Sequence, residues 1–339
     1  MTNVEKPKPS EGLSASSRTA VVLGASGQDG RLLTQQLLTE GWSVIGVSRT
    51  LSPTNPHGVV GNNSYEGVQG SITDQSFLNE FFLRTAPDAV FNVAGFTHVG
   101  NSWDAKLESR EVNFVAVKKI VMALELVRSE TGKAPHYYHS SSSEIFGGTA
   151  QKPQAENTPL DPATPYGEHK ALAHSFLQNR RESSELPITI GILYNHESPL
   201  RPVHFVSRKI SAGVAAISAG HQDKLVMGNI DSSRDWGFAG DYVDAMVQLV
   251  TTRSTGDFVV ATGVEHSVKE FIAQAFMSVG IADWERYVEI SSEFFREADP
   301  NTLVGDPSKI YQTVGWSAST SFEDLVRMMV AHDKSLLGA

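Results

Sequence analysis

Two side chains four positions apart, Tyr166 and Lys170, have the types needed to move a proton. On a helix that spacing puts both on one face. A phenol, with an ordinary pKa of about 10, is a poor base at neutral pH, and a nearby ammonium favours its ionised form. Alone, Tyr-x-x-x-Lys is common on solvated helices. Here it follows the run Ser140-Ser141-Ser142-Ser143-Glu144, which ends an apolar stretch that reads as a strand. Open α/β sheets bind ligands at the carboxyl ends of their strands. A hydroxyl there can hold a substrate oxygen beside Tyr166. Four serines also suit a polar turn, and Glu144 also suits a helix start, where the dipole favours a carboxylate.

A second cluster lies near the N-terminus. Gly24, Gly27 and Gly30 form G-x-x-G-x-x-G directly after the apolar segment Thr19–Leu23. Glycines in that place allow a tight turn and close backbone approach to a pyrophosphate, whose charge rests at the N-terminus of the following helix. Three glycines alone make a weak pattern; their position between a first strand and its helix strengthens it. The second strand, Ser43–Val47, runs into Ser48-Arg49-Thr50 and not into an acidic residue. An acid there would accept a ribose 2′-hydroxyl. Arg49 instead suits a 2′-phosphate, which favours NADP over NAD. As an exposed loop arginine it would have no such role.

These residues need a scaffold, and the apolar periodicity supplies one. A helix with Leu32, Leu33, Leu37 and Leu38 on one face follows the glycines. Helices are expected over Asp74–Thr85, Ala105–Ser129 (as one long helix) and Tyr166–Glu182, and strands over Ala89–Val93, Tyr137–Ser140 and Ile188–Leu193. Alternation of strand and helix over residues 18–195 is the signature of an α/β, Rossmann-type, doubly wound parallel sheet. Beyond it the pattern loosens. Helices fit Phe205–Ala219, Asp241–Thr252 and Val268–Val279, and a strand fits Phe258–Ala261. Residues 196–339 therefore read as a smaller C-terminal lobe, partly interleaved with the core. Residues 1–17 read as a loose polar tail, and Gly58–Asn63 as a loop.

Composition narrows the function. The chain has 339 residues, with 28 Lys+Arg against 38 Asp+Glu, a formal net charge of -10. No basic stripe is available to replace phosphate counterions, so nucleic acid is not an expected partner. No apolar run reaches the roughly 18 residues of a membrane span. The absence of cysteine removes disulfides, thiolate metal sites and cysteine nucleophiles, and fits a cytoplasmic protein. The 11 histidines show no clustered ligand spacing, so no metal is expected.

Several strings in a fixed order carry more information than any single motif. GQDG, YYHSSSSEIFG, PYGEHK, ILYNHESP, FVSRKI, GNIDSSRDWG and GWSASTSFEDLV together resemble the extended short-chain dehydrogenase/reductases and, among them, the GDP-mannose 4,6-dehydratases. The resemblance implies a GDP-sugar substrate and an NADP cofactor. It implies oxidation at C4, elimination of water across C5–C6 and return of the hydride to C6. Tyr166 would take the C4 hydroxyl proton, and Lys170 would hold the nicotinamide ribose and depress the tyrosine pKa. Ser142, where the family usually has threonine, would bind O4. Glu144 would remove the C5 proton, which a C4 ketone has made acidic. Gln28, Asp29 and Ala94 fall on the cofactor side with Gly24, Gly27, Gly30 and Arg49. Asn195 would hold a phosphate, Val206 and Lys209 would lie against guanine, and Arg234 and Arg296 would face the diphosphate. Asp299 stands where a glutamate more often faces the ribose.

Departures from the family leave alternatives open. Phe96 replaces a commonly polar residue, Leu200 and Pro202 alter the run after NHESP, and Ser71 stands where an aspartate commonly approaches adenine. The sugar could then be mannose or something larger, such as a heptose. A nucleotide-sugar 4-keto reductase and a non-catalytic NADP(H) sensor are the other readings; a sensor typically loses residues that this chain keeps. The segment 51–63 differs from the loop that builds a tetramer in relatives. A homodimer through the long helices is therefore expected, with a tetramer as the alternative.

Overall fold

Val21, Val22 and Leu23 are fully buried in the first strand, as an apolar run inside a parallel sheet must be. The computed structural model describes residues 18–50, 64–97, 99–291 and 302–338. Seven parallel strands form its central sheet: β1 (Thr19–Leu23), β2 (Ser43–Ser48), β3 (Tyr65–Gln69), β4 (Ala89–Asn92), β5 (His136–Ser142), β6 (Ile188–Leu193) and, after an excursion through β7 (Asn195–Glu197), β8 (Leu225–Met227) and β9 (Ser233–Phe238), β10 (Gly256–Val260). The order across the sheet is β10-β6-β5-β4-β1-β2-β3. Leu23 at the end of β1 pairs with Val47 on one side and Asn92 on the other. The strand order reverses there, which opens a crevice above the carboxyl ends.

Helices cover both faces. On one, α1 (Gln28–Thr39) meets α7 (Ala239–Thr251), burying Leu33, Leu37, Tyr242 and Met246. On the other, α2 (Gln75–Thr85) and α4 (Ala116–Thr131) bury Phe81, Phe82, Ile120 and Leu124, together with Leu177 of α5 (Pro165–Ser183). Caps explain where helices begin. Asp74 accepts from Phe77 N at 3.1 Å, and Thr164 accepts from Gly167 N at 3.1 Å with Pro165 as the first helical residue. A third apolar cluster holds α6 (Val206–Ser218), α8 (Val268–Met277) and α9 (Phe322–Leu336) around Ile210, Trp236, Phe271 and Met329.

The helix expected to run unbroken over Ala105–Ser129 is interrupted. A short α3 (Lys106–Arg110) leads into one π-helical turn, Glu111–Val115, before α4. The widened turn carries the buried Asn113, whose carboxamide donates to Phe96 O at 3.0 Å and accepts from Phe96 N at 3.1 Å. A π turn costs regular hydrogen bonding and is found where a side chain must be re-aimed. Here it clamps the backbone of the loop after β4.

The C-terminal half returns to the core and also adds small sheets. β10 pairs with β6 in the main sheet. β7 and β11 (Glu265–Ser267) flank β9, while β8 pairs with β12 (Val288–Ile290). Four of these five added strands have three residues, too few to print a period of two in the sequence. The expected tail at 1–17 and the loop at 58–63 lie outside the described residues. Among the described residues, no helix is long and apolar enough to cross a membrane.

Candidate active site

The wall that carries the candidate catalytic residues is built where β5 ends. The strand runs two residues further than expected, so Ser142 is its last residue and caps a short 3₁₀ turn, Ser143–Phe146. Ser142 Oγ accepts from Glu144 N at 3.3 Å, and its hydroxyl favours ionisation of the Tyr166 phenol. Helix α5 brings Tyr166 against this turn, and a glycine permits the approach. A Cβ at Gly167 would lie 2.4 Å from Glu144 O. Ser102 Oγ accepts from Tyr166 N at 3.3 Å and fixes the start of the helix from the other side.

Burial sets the protonation of this wall. It pushes the Tyr166 phenol up to about 12; the Glu144 carboxylate adds to the rise, while the Ser142 hydroxyl and the more distant Arg201 oppose it. Lys170 is buried too, and burial brings its ammonium down to about 8. Its Nζ donates to Ser140 O at 2.8 Å and lies 6.0 Å from the Tyr166 ring centroid. The expectation that Lys170 depresses the tyrosine pKa therefore needs amending: in this arrangement Ser142 is the nearest group favouring the phenolate. Lys170 is held along the floor of the crevice.

Ser142, Glu144, Tyr166 and Lys170 line one cavity of about 510 Å³. Its opposite end is lined by Asn195 of β7, Val206 and Lys209 on one face of α6, and Arg234 of β9. Asn195 is placed by its register with Trp236, and Arg234 by its register with His266 of β11. Burial lowers the Lys209 ammonium. Residues from five separate segments of the sequence thus face a single space. Arg296 and Asp299 lie outside the described residues.

A second cavity, of about 500 Å³, adjoins the first and shares Asp29, Ala94 and Arg201 with it. Gly24, Gly27, Gln28, Gly30 and Arg49 line it. The glycines are required by contact. Gly24 has φ +92, and a Cβ there would meet Ala94 N at 2.7 Å; a Cβ at Gly30 would lie 2.1 Å from Gly24 O. Gly27 precedes α1 without a side-chain cap, so the first N–H groups of the helix face outward. Such a cradle fits a pyrophosphate. Beside it the Ser48 hydroxyl, at the tip of β2, is buried with no hydrogen-bond partner among the described residues. A ribose or its phosphate would supply one.

Sequence reasoning missed three contributors. Arg201, mostly buried, stands on the wall between the cavities, with Nε 3.0 Å from Glu197 Oε2 and its guanidinium 3.7 Å over the Phe205 ring. Asn113 holds Phe96 from a helix with no local motif. His196, within NHESP, meets Asp29 at 3.0 Å across 167 positions of chain. Asn113 and His196 act across 17 and 167 positions of chain, which no spacing announces, whereas Arg201 stands four positions from both Glu197 and Phe205, a local spacing that could have drawn notice.

The sheet, the glycine turn and the Ser–Tyr–Lys wall together define an α/β enzyme of the extended short-chain dehydrogenase/reductase class. Within that class the chain belongs to the GDP-mannose 4,6-dehydratase family, a family of hydro-lyases: the model described as "GDP-mannose 4,6 dehydratase" matches residues 21–329. It is 39% identical over 330 residues to GDP-mannose 4,6 dehydratase 1 of Arabidopsis thaliana, covering 94% of this chain and 90% of that one. Solved structures show the same fold at lower identity. RMD from Pseudomonas aeruginosa, complexed with NADPH, is 20% identical with a TM-score of 0.79, covering 94% of this chain and 100% of that one. DesIV, a dTDP-glucose 4,6-dehydratase from Streptomyces venezuelae with NAD and TYD bound, is 20% identical with a TM-score of 0.81, covering 94% and 98%.

Proposed function

We propose that this protein converts GDP-mannose to GDP-4-keto-6-deoxymannose with NADP as its resident cofactor. The observation that carries the reading is that Ser142, Glu144 and Tyr166 line one end of a cavity whose other end presents Asn195, Lys209 and Arg234. A sugar at the first end and a nucleoside diphosphate at the second would fill it. Bound in the adjoining cavity, NADP supplies a hydride acceptor for C4 and later a donor for C6.

The chain's own residues do the rest. Ser142 holds the C4 oxygen against Tyr166, which takes the hydroxyl proton. Tyr166 at about 12 is protonated in the empty site. A cationic nicotinamide beside it would lower that value by direct Coulomb attraction, so the base forms only in the loaded site. Lys170 orients the ribose. Glu144 then removes the proton on C5, and the carboxyl so formed protonates the departing C6 hydroxyl. The carboxylate is strong enough only because a C4 ketone precedes it, which orders the two steps. Arg49 and Ser48 select the 2′-phosphate. A homodimer through α4 and α5, whose Met122 and Leu172 are exposed, belongs to the same proposal. With the sheet carrying the cofactor and the excursion through α6 and β9 carrying the nucleotide, residues 18–195 and 196–339 divide the labour.

The test is incubation of the protein and NADP with a panel of GDP-sugars, read by mass for loss of water and by absorbance for net NADPH. Loss of water from GDP-mannose with no net NADPH supports the proposal. Stoichiometric formation of NADPH with no loss of water, the reverse of a 4-keto reduction, would instead make the enzyme a 4-keto reductase, and water loss from a larger sugar alone would reassign the substrate.

A further inference from the structure

An acidic residue opens the helix that receives the pyrophosphate, and like charges at one helix end repel. Asp29 lies in the first turn of α1 and lines both cavities. Burial works against its charge, yet the facing His196 holds its carboxyl down at about 2, so it is ionised. The histidine is gripped on both sides. Its Nδ1 lies 2.7 Å from Tyr194 O and its Nε2 lies 3.0 Å from Asp29 Oδ2. A carbonyl oxygen and a carboxylate can only accept, so both ring nitrogens carry protons and the ring is an imidazolium. It stacks on Tyr242 with centroids 4.9 Å apart and planes 21° apart. Gln28 braces the pair: Nε2 donates to Asp29 Oδ1 at 3.0 Å and to His196 O at 3.1 Å, while Ser198 Oγ donates to Gln28 Oε1 at 2.8 Å.

We infer that His196 is a positioning residue whose imidazolium cancels the charge of Asp29, so that the start of α1 can accept an anionic diphosphate while Asp29 still ties that turn to β7. The inference rests on the cofactor reading above. It gives the acid at this position a purpose. A neutral residue would admit the diphosphate but would not hold β7, which carries Asn195 into the substrate cavity.

The device responds to pH. Asp29 from α1 and the Tyr194 carbonyl favour the imidazolium; burial and Arg201, from the turn after β7, oppose it; the net shift is upward. Tyr242 from α7 stacks on the ring, and Tyr166 and Lys170 of α5 feel the Asp29 carboxylate. A raised histidine keeps its proton below the ordinary value and loses it as pH climbs through the raised one. Cofactor affinity should fall over that range, because Asp29 is then left unbalanced.

NADPH binding, followed by its fluorescence, tests this with four proteins. His196→Asn should bind NADPH about tenfold or more weakly, the effect of stranding one buried charge of a pair. Removing the stranded charge as well, in Asp29→Asn/His196→Asn, should bring affinity back to within about threefold of the wild type, a non-additivity that lost packing would not give. The wild type should lose affinity as pH rises above the ordinary histidine range, and Asp29→Asn should not. Titration of the 2′-phosphate is common to both proteins and cancels in that comparison. A double variant as weak as His196→Asn overturns the inference, as does an Asp29→Asn protein with the wild-type pH slope; the second arm stands even if His196→Asn fails to fold. A wild type that binds no NADPH would overturn the cofactor reading itself, whereas wild-type binding with insensitive variants overturns only the role of His196.

Discussion

The two ends of the cavity proposed to hold the substrate are made differently. At the reacting end, Ser142, Tyr166 and Lys170 sit on a strand end and the first turns of one helix, and burial has displaced the protonation of both the phenol and the ammonium. At the proposed nucleotide end, Asn195 sits on the three-residue β7 and Arg234 near the start of β9, beside an α6 helix that begins without a side-chain cap. One end buries its phenol and ammonium, as the proposed proton transfer needs. The other is a set of polar side chains drawn from three separate elements, as recognition of a charged and extended ligand allows. The difference teaches where chemistry and where grip reside, and substitutions at each end should separate them.

Tyr166→Phe removes the hydroxyl and little packing. Turnover should fall by about 10²- to 10⁴-fold, the span of a lost general base, with the unfolding temperature nearly unchanged. A variant that keeps its rate would place the proton transfer elsewhere. Glu144→Gln makes the finer cut within the same end. It should still allow oxidation at C4, seen as a burst of NADPH absorbance, while release of water drops by about 10²-fold or more. Equal loss of both steps would mean that Glu144 shapes the turn and does not act on C5. Gly30→Ala tests the cofactor cradle by geometry alone. Its Cβ would sit 2.1 Å from Gly24 O, so stability should fall by about 1–3 kcal/mol and NADPH binding with it.

The same contrast explains what the sequence could reveal. β1 and β6 have the expected bounds because continuous apolar runs leave no choice of register. Tyr166 and Lys170 are readable because four positions on a helix fix a face. Glycines at Gly24 and Gly30 are readable because close backbone approach excludes every other residue. Asn113 and the pairing of Asp29 with His196 are not readable, since each depends on segments brought together only by the fold; Arg201 has local partners in Glu197 and Phe205, but its place on both cavities comes from the fold. The three-residue strands around β9 are invisible for a simpler reason: they are held by their neighbours, with no period of their own. The reading of Lys170 as the group that lowers the tyrosine pKa shows a further limit. Spacing put the two on one face, but a backbone carbonyl at 2.8 Å claimed the ammonium.

Arg234→Ala should raise the KM for the GDP-sugar by roughly tenfold and leave NADPH affinity and kcat nearly intact, the mark of uniform binding lost at the gripping end. Equal weakening of substrate and cofactor would put the arginine at the junction of the cavities, where Arg201 stands, and would blur the division between the ends.

The smallest effect is expected at Arg49. It lies exposed at the tip of β2, against the second cavity, so water screens whatever charge it offers. Arg49→Leu should reduce the preference for NADPH over NADH by a few-fold to about tenfold, with NADH affinity unchanged, because only the 2′-phosphate loses a partner. The buried Ser48 hydroxyl is a separate selector that the substitution leaves in place. A full reversal of preference would mean that the exposed guanidinium outweighs it. No change at all would assign selection to Ser48 and the glycine cradle, and Ser48→Asp, which restores an acid where a ribose 2′-hydroxyl would bind, should then favour NADH.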